Sequence, residues 1–149
     1  MPDKKIAMKQ NVQLARLTHI LIHMGVSEER ESSETIGQKL NINPILVRRM
    51  LGILRTEGLV RSTLGRAGCW ELKRALTDLT ILDVQKALNP GLIIEAGFSD
   101  DQPNCQVERV ANAFLERAFT IAENTLCLEL SKLTLADLAG RATGDLRSF

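Results

Sequence analysis

The segment from Asn43 to Gly58 constrains the fold most, because it carries the start, the end and the inner face of one helix. Asn43 is a favourable N-cap residue, and Pro44 suits the first helical position, where its missing N–H would have had no intrahelical partner. Gly58 stands where a residue of left-handed conformation commonly ends a helix. The segment therefore predicts a helix from Pro44 to near Glu57.

The two faces of this predicted helix differ in character. Apolar residues recur at i, i+3, i+4 and i+7, which lie on one side of a helix. These residues are Val47, Met50, Leu51 and Leu54. The other side presents Ile45, Arg48, Gly52 and Arg55. We expect the first face to pack in a core and the second to point outward with its arginines.

A β-hairpin is predicted directly after this helix. Residues 59–63 and 69–72 read as two short strands, and residues 64–68 between them contain Gly65, Arg66 and Gly68. Glycines in a short connection between strand-forming runs are typical of a hairpin tip. The ribbon would form a wing with one arginine at its tip.

Two helices are predicted before Asn43. Residues 11–24 place Leu14, Leu17, Leu21 and Met24 at helical spacing, with Gly25 as the expected end and a polar, basic arm over residues 4–10. A serine pair at 32–33 can cap a second helix over residues 34–40. Helix, turn and the Asn43 helix then form a helix-turn-helix. The predicted fold class is mainly α with a small β-wing, a winged helix-turn-helix.

The chain after the wing predicts a short helix and then a much longer one. The short helix starts near Thr80 and ends at Leu88, with Ile81 and Val84 also facing inward, and residues 89–91 (Asn-Pro-Gly) break it. Residues 92–98 are apolar and suggest a short extended piece. The long helix is expected from Cys105 to about residue 132, with Asn104 as its N-cap. Residues 134–138 suggest a final turn, and residues 141–149 a loose tail.

The long helix has a wider apolar arc than one packed surface can cover. We expect one side to pack on its own domain and the other on a second copy, giving a two-fold homodimer. The expected interface residues are Val110, Phe114, Ala118, Ile121 and Leu128. The predicted organisation is a DNA-binding domain over residues 1–89, a connecting loop over 90–103, and a dimerisation helix with its tail over 104–149.

The charge is distributed unevenly along the 149 residues. Residues 1–75 hold 13 Lys and Arg against 7 Asp and Glu, a balance of +6, whereas residues 76–149 hold 6 against 11, a balance of −5. A basic half that contains the helix and the wing suits a face for duplex DNA. The acidic half suits a segment kept away from phosphates.

Several other classes of protein are disfavoured by the sequence. No run approaches the roughly 18 to 20 uninterrupted apolar residues of a membrane span, and no signal-peptide core follows the start, so we expect a cytoplasmic protein. No nucleophile elbow, P-loop, dinucleotide fingerprint or metal triad is present, which disfavours an enzyme. His19 and His23 lie one helical turn apart, but no third ligand accompanies them, so no metal site is predicted.

These motifs together resemble the IscR/NsrR/CymR-type family of bacterial winged-helix transcription regulators, and within it the YwnA-like branch. The matching segments are residues 42–44 (Ile-Asn-Pro), 47–51 (Val-Arg-Arg-Met-Leu), 57–62 (Glu-Gly-Leu-Val-Arg-Ser), 79–84 (Leu-Thr-Ile-Leu-Asp-Val) and 103–105 (Pro-Asn-Cys), with the wing glycines. The resemblance implies sequence-specific binding of double-stranded DNA by a homodimer, usually as a repressor.

The resemblance also suggests how contacts with DNA divide. Arg48 would read a base, since arginine pairs bidentately with guanine in the major groove. Arg66 at the wing tip would enter a minor groove. The remaining candidate DNA contacts, mostly to phosphates, are Lys9, Ser33, Asn43, Arg49, Arg55 and Arg61.

The cysteines depart from the pattern of the family's cluster-binding members. Those members carry three closely spaced cysteines between the wing and the long helix, whereas only Cys105 lies in that region here, with Cys69 in the wing and Cys127 far along the helix. One thiolate cannot hold an iron–sulfur cluster, so no cofactor is predicted and the signal would be another small molecule or a redox change. Cys105 is the candidate redox thiol, because the positive end of the helix dipole would stabilise its thiolate.

One alternative function stays open. A winged helix can also serve as a protein-interaction module without sequence-specific DNA binding, with the wide apolar arc of the long helix as its docking surface.

Overall fold

The computed structural model describes residues 4–27, 29–63, 68–94 and 97–142, with side chains from residue 12 onward. Six α-helices and three short strands occur in these ranges. The helices are α1 (Lys4–Ser27), α2 (Ser33–Leu40), α3 (Pro44–Thr56), α4 (Ile81–Leu88), α5 (Gln106–Ser131) and α6 (Leu135–Ala142), with a 3-10 turn at Leu76–Asp78. The strands are β1 (Glu31–Ser32), β2 (Val60–Ser62) and β3 (Cys69–Leu72). The predicted fold class, a mainly helical winged helix-turn-helix with a long C-terminal helix, is confirmed.

One core joins the helices to the wing. Its buried residues come from α1, α2, α3, α4, α6 and the two hairpin strands. All four predicted inward residues of α3, Val47, Met50, Leu51 and Leu54, are buried within it. Burial of such side chains contributes about 1.5–3 kcal/mol each.

α1 is longer than the sequence predicted. Its backbone is helical from Lys4, so the expected basic arm over residues 4–10 is part of the helix, and the helix continues through Gly25 to Ser27. A Cβ at Gly25 would stand 2.4 Å from side-chain atoms of Leu76. The prediction that Gly25 ends the helix was therefore wrong, because this glycine allows the 3-10 turn to approach α1 closely.

The sheet has one more strand than the sequence predicted. β2 and β3 pair antiparallel with Arg61 opposite Glu71, as the predicted wing requires. β1 adds to the other edge of β3, with Glu31 opposite Trp70, in a segment for which the sequence analysis predicted no strand. A two-residue strand carries almost no local signal, because its stability comes from the partner strand.

α4 begins and ends as predicted. The Thr80 side chain accepts a hydrogen bond from the Asp83 N–H, and the Asp83 carboxylate accepts one from the Thr80 N–H. This reciprocal pair is a capping box and fixes the helix start. Val84 is buried, and Ile81 and Leu88 pack at the core edge.

α6 returns the end of the chain to the core. The Leu135 N–H donates to the carbonyl oxygen of Leu79 at 2.7 Å, and the Leu135 side chain is fully buried. The sequence predicted only a final turn over residues 134–138. Here the helix continues to Ala142, and Leu138 also packs against the core. The predicted tail beyond residue 142 lies outside the described residues.

Candidate nucleic-acid interface

The outer face of α3 is available to a partner. The Asn43 side-chain oxygen accepts a hydrogen bond from the Ile45 N–H at 2.9 Å, which confirms the predicted N-cap. Gly58 has a φ of 76°, the left-handed conformation expected just after the helix. Ile45, Arg48, Arg49 and Arg55 are all exposed. Asn43 and Gly58 thus fix the two ends of α3, and the exposed face of this helix carries three guanidinium groups.

Arg48 is held only loosely. Its Nη2 lies 3.6 Å from a carboxylate oxygen of Glu34 on α2, and both side chains are more than 60% exposed. Exposed pairs of this kind contribute roughly 0–1 kcal/mol. Arg48 can therefore exchange Glu34 for a phosphate or a base edge at little cost.

Arg55 connects α3 to the inner face of the sheet. Its Nη1 donates to the Ser62 hydroxyl at 3.1 Å, and its guanidinium lies 5.8 Å from the ring centroid of Trp70. The Trp70 indole N–H in turn donates to the Ser33 hydroxyl at 2.9 Å. This chain of contacts fixes α2, α3 and the wing relative to one another.

Ser33 departs from its predicted role. Its side chain is only 2% exposed, and its hydroxyl accepts the hydrogen bond from Trp70. The structure therefore assigns Ser33 to the interior rather than to a phosphate. Ser32, which stands before it, is the half-buried N-cap of α2 and accepts a hydrogen bond from the Thr35 N–H.

The opposite face of the sheet carries Arg61 and Glu71, and Arg30 reaches it from just before β1. Side chains alternate along a strand, so Arg61 and Glu71 lie on the face away from Ser62 and Trp70. The Glu71 carboxylate accepts from Arg61 and, at 2.8 Å, from Arg30. Local desolvation raises the pKa of Glu71, but hydrogen bonds and charge from the two guanidinium groups outweigh it and lower that pKa. Glu71 thus stays ionised and holds both arginines in place.

Arg30 is a candidate that sequence reasoning missed. It precedes β1, in a segment with no recognised element, and only the pairing of β1 with β3 brings it beside Glu71. Two other predicted contacts lie outside the described residues. Arg66 and the wing tip fall in residues 64–67, and Lys9 belongs to α1 by its backbone but its side chain is not described.

α5 presents the predicted apolar stripe to solvent. Val110 is 66% exposed and Phe114 69%, and Ala118, Ile121 and Leu128 are also exposed. α5 contains no buried residue at all. Its half-buried side chains, including Phe119, Leu126 and Leu130, lie on the opposite side of the helix and face their own chain.

The start of α5 differs from the prediction by one residue. Cys105, not Asn104, is the N-cap, and its side chain makes no capping hydrogen bond. Cys105 is an exposed free thiol, as the redox hypothesis requires, but it stands before the first helical residue rather than on it. Cys127 is half-buried, with its Sγ 3.8 Å from a Glu123 oxygen.

The cysteines do not fit an iron–sulfur cluster. Cys105 and Cys127 are separated by 22 positions along α5, which corresponds to about 33 Å. Cys69 lies on β3, in the wing. Among the described residues no group of three or more His, Cys, Asp or Glu side chains could hold a metal ion.

Comparison with known proteins decides the family. The profile of the Rrf2 family, described as iron-dependent transcriptional regulators, matches residues 9–141. The chain belongs to the Rrf2 family. The resemblance predicted from the helix, wing and long-helix motifs is thus confirmed, while the cysteine positions distinguish this Rrf2 protein from members that hold a cluster.

Individual relatives agree with this assignment. YwnA of Bacillus subtilis (strain 168), named as a candidate regulator of the helix-turn-helix type, is 30% identical over 128 residues, which cover 86% of this chain and 95% of YwnA. A crystal structure of a candidate DNA-binding protein has a TM-score of 0.68 at 28% identity, covering 85% of this chain and 97% of that one. CymR, the global cysteine regulator of B. subtilis, shares the fold, with a TM-score of 0.62 at 23% identity over 89% of this chain and 93% of CymR.

Within residues 4–27, 29–63, 68–94 and 97–142, no helix is both long enough and apolar enough to cross a bilayer.

Proposed function

We propose that this Rrf2 protein is a sequence-specific DNA-binding repressor that acts as a homodimer in the cytoplasm. The observation that carries the proposal is the outer face of α3, where three exposed arginines stand beside a wing whose position is fixed through Arg55 and Trp70. A helix of this kind enters the major groove in winged and related helix-turn-helix proteins, while a neighbouring element contacts the backbone or the minor groove. Residues 1–89 would bind DNA, 90–103 connect, and 104–149 dimerise.

The proposed DNA contact of each residue depends on the ion pairs and hydrogen bonds that its side chain already makes. Arg48 and Arg49 are exposed, and Arg48 is only loosely paired with Glu34, so Arg48 reads a base and Arg49 contacts a phosphate. Arg55 positions the wing, and Arg61 with Arg30 contacts phosphates from the outer face of the sheet. Lys9, Asn43 and Arg66 are further candidate contacts, and for Asn43 the side-chain amide N–H groups remain for DNA because the oxygen caps α3.

The homodimer part of the proposal rests on α5. An exposed apolar stripe over five residues is costly in water and suits a self-complementary contact around a two-fold axis. Two copies would then place two recognition helices about 34 Å apart, one turn of the duplex.

A selection of bound sequences from genomic DNA by the purified protein tests the proposal, followed by titration of the selected duplex. Arg48→Ala should cost about 1–3 kcal/mol at one base pair and relax the preference there. Lys9→Ala should weaken all duplexes equally. Arg109→Ala on α5 removes the same charge far from the proposed interface and serves as the control. If Arg48→Ala and Lys9→Ala weakened every duplex alike, Arg48 would not be a base reader.

The exposed stripe also favours a second candidate function, a protein-interaction module without sequence-specific DNA binding. Salt separates the two functions. Binding through several phosphates should weaken by about 10³-fold or more between roughly 50 and 200 mM salt, because counterions are released. A docking contact through the apolar stripe would change little. Repression itself is tested with a reporter gene placed behind the selected sequence.

A further inference from the structure

A loop that follows α4 is hydrogen-bonded to α5 at two points. The N–H groups of Ile93 and Ile94 donate to the two carboxylate oxygens of Glu123, at 3.0 and 2.8 Å. Farther along, the Ser99 N–H donates to the Asn112 side-chain oxygen at 3.2 Å, and the Asn112 amide donates back to the Ser99 carbonyl at 2.8 Å. The two fastening residues of α5 lie 11 positions apart, or about 16 Å.

A cavity of about 430 Å³ lies between this loop and α5. That volume falls within the range of roughly 300–1,000 Å³ that small-molecule sites occupy. Its walls are mostly apolar, from Leu92, Ile94, Phe98 and Phe119, and its polar side includes Glu116 and Thr120. Leu92 and Phe98 are more than half exposed, so a ligand with an apolar body would remove apolar surface from water.

The charge of the residues that line the cavity favours a cationic ligand over an anionic one. Two carboxylates, Glu116 and Glu123, border the cavity, and no Lys, Arg or His is among the described residues that line it. The Glu123 oxygens already accept two backbone N–H groups. Glu116 makes no hydrogen bond or ion pair within the described part of the chain, so its charge is available to a ligand. An anion would meet repulsion from both groups.

The cavity is separate from the proposed dimer contact. Glu116 and Phe114 are two positions apart on α5, which places them about 200° apart around the helix axis. The stripe that would meet a second copy therefore points away from the cavity.

We propose that the cavity between α5 and the loop segments 92–94 and 97–99 binds a small organic cation with an apolar body, such as an arylalkyl amine. Its ring or chain packs against Phe98 and Phe119, and its ammonium group pairs with Glu116. The inference goes beyond the proposed function and does not depend on it, because binding is measured without DNA. A failure to bind DNA would leave this site untouched, and a failure of the site would leave DNA binding untouched.

The test uses the full chain and three probes of similar size, 4-phenylbutylamine, 4-phenylbutanol and 4-phenylbutyrate, titrated by NMR with calorimetry. The amine should bind about tenfold more tightly than the carboxylate, with the alcohol between them. Glu116→Gln should weaken the amine about three- to tenfold and leave the alcohol unchanged. Phe98→Ala should weaken all three probes, because it removes part of the apolar wall.

Glu129→Gln is the matched control, since it removes the same charge from an exposed position on the same helix outside the cavity. It should leave the affinity for the amine unchanged. Equal affinity for the three probes, no binding of the amine at millimolar concentration, or equal effects of Glu116→Gln and Glu129→Gln would each overturn the proposal. A second copy of the chain that fills the cavity in solution would show as no binding and would overturn it as well.

Discussion

α3 and α5 distribute their apolar residues in opposite ways. α3 buries four apolar side chains in the core of its own chain and leaves arginines outside, whereas α5 buries none and leaves an apolar stripe outside. The inner face of α3 is complete without a partner, and its outer face suits an anion. The outer face of α5 suits another apolar surface. Amphipathic sequence alone therefore does not identify the interior of a protein, because a helix can keep its apolar face for a second chain.

The largest expected effect comes from a charge placed in the stripe. Phe114→Glu should convert the protein from a dimer to a monomer of 16.5 kDa, because an unpaired carboxylate in an apolar contact is costly to desolvate. Sedimentation analysis measures the mass directly. Arg109→Glu, which changes charge on the same helix outside the stripe, should remain dimeric. A wild-type mass of 16.5 kDa would mean that the protein is a monomer and that the stripe on α5 does not meet a second copy.

The next largest effect should be a loss of stability from a cavity created beneath α3. Leu51→Ala should lower the free energy of unfolding by about 2–5 kcal/mol, because Leu51 is fully buried. Urea denaturation at several protein concentrations measures it. Ile45→Ala, on the exposed face of the same helix, should change stability by less than about 0.5 kcal/mol. Equal losses for the two variants would contradict the assignment of the faces.

The hydrogen bond from Trp70 to Ser33 should contribute less to the free energy of unfolding. Trp70→Phe removes the indole donor and leaves the buried Ser33 hydroxyl without it, which should cost about 1–2 kcal/mol. Ser33→Ala and the double variant complete a mutant cycle, and we expect a coupling of about 1 kcal/mol. A coupling near zero would show that this bond does not help to fix α2 against the wing.

The smallest effect is a pH dependence at the start of α6, which returns the chain from α5 to the core. Hydrogen bonds from the Thr134 N–H and the Thr134 side chain lower the pKa of Asp137, desolvation opposes them, and Arg141 adds a smaller lowering. The folded state therefore binds this proton less readily than the unfolded state. Its contribution to stability is present above the unfolded value of 3.8 and is lost as the pH falls below it through the folded pKa.

Asp137→Asn should remove this part of the acid dependence and leave stability above about pH 5 slightly lower. Thermal unfolding between about pH 3 and pH 7 measures the difference between the variant and the wild type. Glu129→Gln, an exposed carboxylate near the end of α5, is the control. An identical acid profile for Asp137→Asn and the wild type would show that the cap does not titrate with folding.

The sequence predicted those elements that carry local signals. Asn43 and Gly58 bounded α3, Thr80 started α4, and the glycines and strand formers around residue 65 indicated the hairpin. Each signal acts within a few residues, through a side chain that satisfies a nearby backbone group or through a permitted φ. The inner face of α3 was predicted correctly because helical spacing fixes which residues share a side.

Elements that depend on distant partners were missed. β1 pairs with β3, α6 packs on α1 and the 3-10 turn through Leu135, and buried Ser33 accepts a hydrogen bond from Trp70. The sequence predicted that Gly25 ends α1, whereas the structure shows that a glycine is needed there because Leu76 packs against it. The cavity along α5 likewise requires a loop whose backbone amides find Glu123 about 30 residues later.

The sequence by itself determined where α3 starts and ends, which face it buries, and that the chain has a wing and a long C-terminal helix. Caps, turns and periodicity act between neighbours in the chain, so they can be read from the order of residues. The tertiary structure alone decided which arginines are held by Glu71, which serine is interior, and where α5 meets the backbone of Ile93, Ile94 and Ser99. Those outcomes depend on contacts between residues far apart in sequence, whose energies exist only once the chain has folded.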